Sequence, residues 1–176
     1  SPRSFFIDFA RCPAYRMSGM STEDTSPAAK RAAAIEAIKA RTGIDEEMIE
    51  RLIRAFYQRV QQDPLIGPVF AERITDWEPH LQQMFAFWSS VALMSGRYHG
   101  HPMQKHLPLP IDARHFDRWL ALFEETAREE TPPAAADHFV TAARRVGESL
   151  ELGMAASDGK MLAPGERLHR PELGGA

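Results

Sequence analysis

Tyr57, His80, His106 and Trp119 are the residues of this chain whose types and spacing could do chemistry. Tyr57, His80 and Trp119 are polar-tipped side chains on otherwise apolar helix faces, able to present hydrogen bonds inside an apolar chamber. His106 sits in a short Pro-flanked piece, Pro102 to Leu107. That piece is the one helix-competent turn in a stretch broken by Gly96, Gly100, Pro102, Pro108 and Pro110. Neutral imidazole is a good ligand for iron and zinc. Apolar walls, a few hydrogen-bonding tips and one isolated imidazole are what a buried metal-porphyrin requires. Singly, each residue has a plainer reading: His80 as a core-edge histidine, Tyr57 and Trp119 as core aromatics. Their conjunction weighs more, because three polar tips brought from three helices to an inert core would each need a partner there.

Other chemistries find less support. His99-Gly100-His101, with His106 five residues later, invites a zinc reading, but no cysteine accompanies them and the spacing matches no standard structural site. Loop histidines exposed to solvent are the plainer account of His99 and His101. His115 and His138 read as partly exposed helix residues, and His169 lies in the tail. Glu124-Glu125 and Glu129-Glu130 read as a solvated helix face. There is no Gly-rich phosphate loop after a strand, no GxSxG and no HExxH.

The elements that must position these residues are helices. The run of Ile49, Leu52, Ile53, Phe56, Tyr57 and Val60 has the i, i+3, i+4, i+7 spacing of an amphipathic helix over Asp45 to Gln62, with Asp45 as its cap. Asp63-Pro64 ends it, and Gly67-Pro68 predicts irregular chain up to Phe70. A second helix spans about Asp76 to Met94, with Trp77, His80, Leu81, Met84, Phe87, Trp88 and Val91 on one broad face. Asp112 to Glu130 carries Phe116, Trp119, Leu120 and Phe123. Pro132-Pro133 separates it from a last helix, about Ala134 to Met154. Pro27 to Thr42 is a further short helix with Gly43 as its stop. No strand pattern of useful length and no repeat occurs, so the class is all-α. Residues 1–43 read as an extension with little order before Pro27, 44–156 as the main domain, and 157–176 as a disordered polar tail.

Composition sets bounds. The 176 residues are 44% hydrophobic and 26% charged, with net charge −3 and no basic stripe, so nucleic-acid binding has little support. No apolar run approaches a membrane span; Ser4 to Ala10 is short and broken by Asp8, so no secretory signal is read. A natural start at Met17 or Met20 is a plausible reading of the first residues. Cys12 is the single cysteine, which excludes an intramolecular disulfide and the Cys-x-x-Cys-His of covalent haem attachment. A reducing, cytoplasmic setting is compatible with this.

Taken in order, Phe56-Tyr57, DPLIGPVF at 63–70, DWEPHLQQMFAFWSSVALMSGRYHGHPMQKHLPL at 76–109 and HFDRWLALFEET at 115–126 resemble the truncated haemoglobins of group III. The resemblance covers about Ile44 to Ala155. It implies a globin-like two-over-two helical sandwich around one haem b. It makes His106 the proximal iron ligand, and Tyr57, His80 and Trp119 the distal residues that stabilise a bound ligand. Phe70 would stack on the haem edge, Met84 line the distal side, and Phe87 and Trp88 wall the pocket or core; Arg97 and Tyr98 are candidates for the propionates. The implied ligands are O2, NO, CO or peroxide. The implied role is O2 and NO handling with tight, slow O2 binding, not bulk transport. An enzyme stays open beside it, an NO dioxygenase or a peroxidase-like activity. Either would need a separate reductase, since no flavin or nicotinamide domain is encoded. A helical interaction module without haem is the bland alternative.

Overall fold

The computed structural model describes residues 26–174, so the expectation of little order before Pro27, Cys12 and the candidate start methionines lie outside the described residues, but for Ser26. Among the described residues seven helices follow in order: α1 (Pro27–Thr42), α2 (Glu46–Gln62), α3 (Gly67–Ala71), α4 (Trp77–Leu93), α5 (Pro102–His106), α6 (Ala113–Glu130) and α7 (Pro133–Ser157). One 3-10 turn, Pro171–Leu173, closes the series, and no strand occurs among the described residues.

The long helices start where aspartates can cap them. Asp45 accepts from the Met48 amide (2.8 Å), Asp76 from Glu78 (3.2 Å) and Asp112 from Arg114 (3.1 Å). Each carboxylate satisfies an amide that the first turn leaves without an intrahelical partner. α1 stops at Gly43, whose φ of +72° is the left-handed conformation that glycine adopts freely, and whose amide bonds to the Lys39 carbonyl.

α2 packs on α4 and α6, and α6 on α7, which makes a two-over-two sandwich of α2 and α4 against α6 and α7. The stripe read from the sequence is its centre: Ile49, Leu52, Ile53, Phe56 and Val60 are fully buried. Each such side chain contributes about 1.5–3 kcal/mol of transfer free energy. Phe123 of α6 stacks on Trp88 of α4 with ring centroids 4.5 Å apart, joining the two layers.

Two expectations are corrected. Gly67-Pro68 does not keep the chain irregular; it opens α3. The Asp63 carboxylate accepts from the Leu65 and Ile66 amides, both at 3.0 Å, and Pro68 sits in the first turn, where its missing N–H costs nothing. Gly67 is needed for closeness: a Cβ there would lie 2.9 Å from the Val60 carbonyl oxygen. The tail is also not disordered through residue 174. α7 continues to Ser157, the chain reverses at Gly159 (φ +73°), and residues 160–174 run back to the start of α6. There the Ala113 amide donates to the Leu168 carbonyl (2.8 Å). Leu168 is fully buried with Ile111, Phe116, Met154 and Ala155 in a second apolar cluster. Among the described residues no helix is long and apolar enough to cross a membrane.

Candidate functional site

α2, α3, α4, α6, α7 and the segment from Tyr98 to Ile111 enclose a cavity of about 320 Å³, within the range of small-molecule sites. Its walls are apolar, with Val69, Met84, Phe87, Leu109, Phe116 and Leu150 among them. Polar side chains reach it at Tyr57, His80, Gln83, Tyr98, His106, His115 and Trp119, together with two cations, Arg73 and Lys105. No carboxylate lines it among the described residues.

His106 is the last residue of α5, and its Nδ1 lies 2.6 Å from the Pro102 carbonyl oxygen one turn earlier. A carbonyl only accepts, so Nδ1 donates, and the neutral ring keeps its lone pair on Nε2. This is the arrangement that orients a metal-binding imidazole. Burial lowers the His106 pKa below its ordinary 6.5; the bond to Pro102 works against this and the Lys105 charge adds to it. Lack of a proton on Nε2 is a requirement for ligation.

His80 points a problem into the cavity: its Nε2 is buried and has no hydrogen-bond partner among the described residues. Such an atom costs about 1–3 kcal/mol unless something meets it. Burial, and secondarily Lys105, lower its pKa below 6.5, so it is neutral at physiological pH. The Tyr57 ring lies edge-on to His80 with centroids 5.2 Å apart, and edge-on to Phe70 at 5.7 Å. Burial pushes the Tyr57 phenol well above its usual 10, so the hydroxyl stays a donor, and it has no hydrogen-bond partner among the described residues. Trp119 stacks on Phe123 (5.8 Å) and on Trp88 (6.4 Å), which holds its indole at the cavity wall.

The structure therefore brings Tyr57, Phe70, His80, Met84, Phe87, Tyr98, His106 and Trp119 to one cavity. Tyr98 is held by its amide donating to Ser90 Oγ (2.8 Å), and its hydroxyl lies where a Cβ on residue 100 would be only 2.2 Å away, so Gly100 makes room for it. Arg97 is not brought in. It is exposed and pairs with Glu46 at 2.7 Å, since the chain leaves α4 on the α2 side at that point. Sequence reasoning missed Arg73 and Lys105, which lie at the cavity where Arg97 was expected to serve. Lys105 adjoins His106 in sequence, and that adjacency was a usable signal. Arg73 carried none, because α3 was read as irregular.

His115 is likewise corrected: it is buried, not partly exposed. The Asp112 amide donates to its Nδ1 (3.2 Å), closing a capping box with His in the place usually taken by Glu or Gln. The same Nδ1 lies 3.2 Å from the Asp112 carboxylate, so the imidazole is engaged in capping α6. His99 and His101 are exposed and do not line the cavity, and no cluster of three or more His, Cys, Asp or Glu suited to a metal stands among the described residues.

An apolar chamber with one imidazole presenting a free Nε2, an unpartnered His80 nitrogen, two cations and no carboxylate fits a flat apolar group that carries a metal ion and acidic side arms. A family model described as bacterial-like globin matches residues 41–145. The chain belongs to the bacterial-like globin family. Group 3 truncated hemoglobin ctb of Campylobacter jejuni is 38% identical over 88 residues, covering 47% of this chain and 69% of that protein. Group 2 truncated hemoglobin YjbI of Bacillus subtilis is 32% identical over 84 residues, covering 47% of this chain and 64% of its own. The crystal structure of a group III truncated hemoglobin from Campylobacter jejuni superposes with a TM-score of 0.57 at 31% identity, covering 61% of this globin and 88% of that chain. The resemblance to group III and the expected fold thus hold. Membership implies a haem-binding globin, with small diatomic molecules such as O2 as its class of ligand.

Proposed function

We propose that this globin binds haem b through His106 and handles O2 or NO in a pocket whose hydrogen-bonding residues are Tyr57, His80 and Trp119. The observation that carries the reading is the 2.6 Å bond from His106 Nδ1 to the Pro102 carbonyl, which leaves Nε2 free inside an apolar cavity. A b-type group fits because the chain's single cysteine, Cys12, cannot form the thioether pair of covalent attachment. When bound, the iron of the haem supplies the position at which a diatomic ligand sits.

The rest is the work of the chain. Arg73 and Lys105 would hold the acidic side arms of the porphyrin, and among the described residues no carboxylate lines the cavity to oppose them. Phe70, Met84, Phe87 and Tyr98 would exclude water from the chamber and pack against the flat group. Tyr57 donates through a hydroxyl that remains protonated and makes no hydrogen bond to another described residue. His80 offers Nε2, and the Trp119 indole N–H is a donor only. Donors aimed at a partly charged ligand slow its release, which suits retention or chemical handling better than transport.

The test is an optical absorption spectrum of the haem-reconstituted protein, reduced and exposed to CO or O2, with His106→Ala and His99→Ala beside it. A Soret band that shifts with the gas, survives in His99→Ala and is lost or much weakened in His106→Ala is expected. Absence of a Soret band in the wild type, or a band unchanged in His106→Ala, overturns the assignment.

A further inference from the structure

We infer that Arg170, within the returning strap 160–174, is a positioning residue of the cofactor site. It holds the segment that follows His106, and the inference rests on the reading of His106 as the iron ligand. Arg170 is buried, an expensive placement for a guanidinium unless every donor is used. Its Nη1 donates to the carbonyls of Leu109 (2.7 Å) and Ile111 (3.0 Å), and its Nε and Nη2 grip Asp158 in a two-point pair (2.9 and 3.0 Å). The Leu109 amide in turn donates to the His106 carbonyl (3.0 Å), and the Ile111 amide to that of Leu109 (2.9 Å). A short relay of hydrogen bonds thus runs from the guanidinium to the backbone of His106. Pro108 and Pro110 leave this segment with few amide donors of its own, so an outside cation supplies what a helix would have supplied.

A second set of contacts anchors the strap. Glu151 of α7 is buried, and its carboxylate accepts from Arg167 Nε (2.9 Å), Arg167 Nη2 (2.9 Å) and the Leu168 amide (2.8 Å). Leu168 fills the space behind Ile111 and Phe116, both of which line the cavity on their other side. The strap therefore backs the wall of the chamber in addition to pinning the chain beyond His106. Glu151, Asp158, Arg167, Leu168 and Arg170 all lie beyond residue 145, where the family match ends, so the device stands outside the matched region.

The experiment compares full-length wild type with Arg170→Ala, Arg170→Lys and, as a control on the outer face of α7, Arg144→Ala. Two quantities are read: the rate of haem loss to an excess of an acceptor haem protein, and the iron–histidine stretching band of the reduced protein in resonance Raman. Arg170→Ala should lose haem roughly tenfold faster and shift or broaden the band. Arg170→Lys, with a cation but without the donors to reach both carbonyls and grip Asp158 at two points, should fall between. Arg144→Ala should match the wild type. Should Arg170→Ala not fold, hydrogen exchange on the wild type decides the matter. Binding that depends on the strap must reciprocally steady it, so haem should raise the protection of the Ala113 and Leu168 amides. A haem-loss rate and band unchanged in Arg170→Ala, or amide protection equal with and without haem, overturns the inference. Failure of the ligand assignment shows separately, as an iron–histidine band that persists in His106→Ala.

Discussion

Tyr57→Phe separates binding from folding more cleanly than any other change in the cavity. The ring stays, and with it the edge contacts to Phe56 (5.0 Å), Phe70 (5.7 Å) and His80 (5.2 Å). Only the hydroxyl is lost, and it has no hydrogen-bond partner among the described residues. Stability of the haem-free protein should therefore change by no more than about 0.5 kcal/mol, the range of substitutions that break no buried bond. In a chain of this size that is roughly 1–2 °C in Tm. A hydrogen bond to a charged acceptor is worth about 1.5–3 kcal/mol. At about 1.4 kcal/mol per tenfold, release of O2 from the reduced, haem-loaded protein should quicken about 10- to 150-fold. Stopped-flow displacement of O2 by CO measures the rate, and thermal unfolding of the haem-free protein measures the stability. Because burial keeps the phenol protonated, the wild-type advantage should also be flat from pH 6 to 9. An unchanged release rate would refute the role of Tyr57 as donor. A drop in stability beyond about 2 kcal/mol would show instead that the hydroxyl serves the fold.

Gly67→Ala should lower the denaturant midpoint by the equivalent of about 1–3 kcal/mol, the usual cost of overpacking, because the new Cβ meets the Val60 and Gln61 carbonyls at 2.9 and 3.2 Å and backbone yields little. Asp63 accepts from the Leu65 and Ile66 amides and from Arg118 Nε (2.6 Å). Burial raises its pKa, but those bonds together outweigh it and hold the carboxyl below its usual 3.8. Its folded pKa is thus the lower one, so its stabilisation is present above about pH 4 and is lost as pH falls through the folded value. Asp63→Asn should flatten the acid limb of stability measured by urea titration below pH 4, and an unchanged limb would sink that reading. Arg73→Ala and Lys105→Ala should each speed haem loss several-fold at low salt and less at high salt, whereas Arg97→Ala, paired with Glu46, should not.

What the sequence made legible follows from the range of the interactions involved. The stripe from Ile49 to Val60 announced α2 because helical periodicity is local, and the aspartates before α2, α4 and α6 announced their starts for the same reason. Tyr57, His80 and Trp119 could be singled out because polar tips on apolar faces conflict with their own surroundings. α3 was hidden, since Gly-Pro signals a break as readily as a first turn; only the nearness of the Val60 carbonyl shows why glycine is there. The strap was hidden more deeply. Its composition is that of a loose tail, and the partners of Arg170 lie 61 and 59 residues away at Leu109 and Ile111, beyond any local pattern. Arg97 was expected at the propionates from the resemblance alone, and the chain's path out of α4 turns it toward Glu46 instead.

The cavity walls are drawn from residues as far apart as Tyr57 and Leu150, and the strap that backs them reaches Arg170. A chain made from its N-terminus at about 5–20 residues per second holds α2, α4 and α6 well before it holds the residues that close the chamber. Until Leu150 has docked, the imidazole of His106 faces an open groove. Until Arg170 has, the two prolines beyond it swing without a restraint. On the reading that Arg170 steadies the site, a chain stopped short of its returning strap would keep its helices and hold the prosthetic group less tightly.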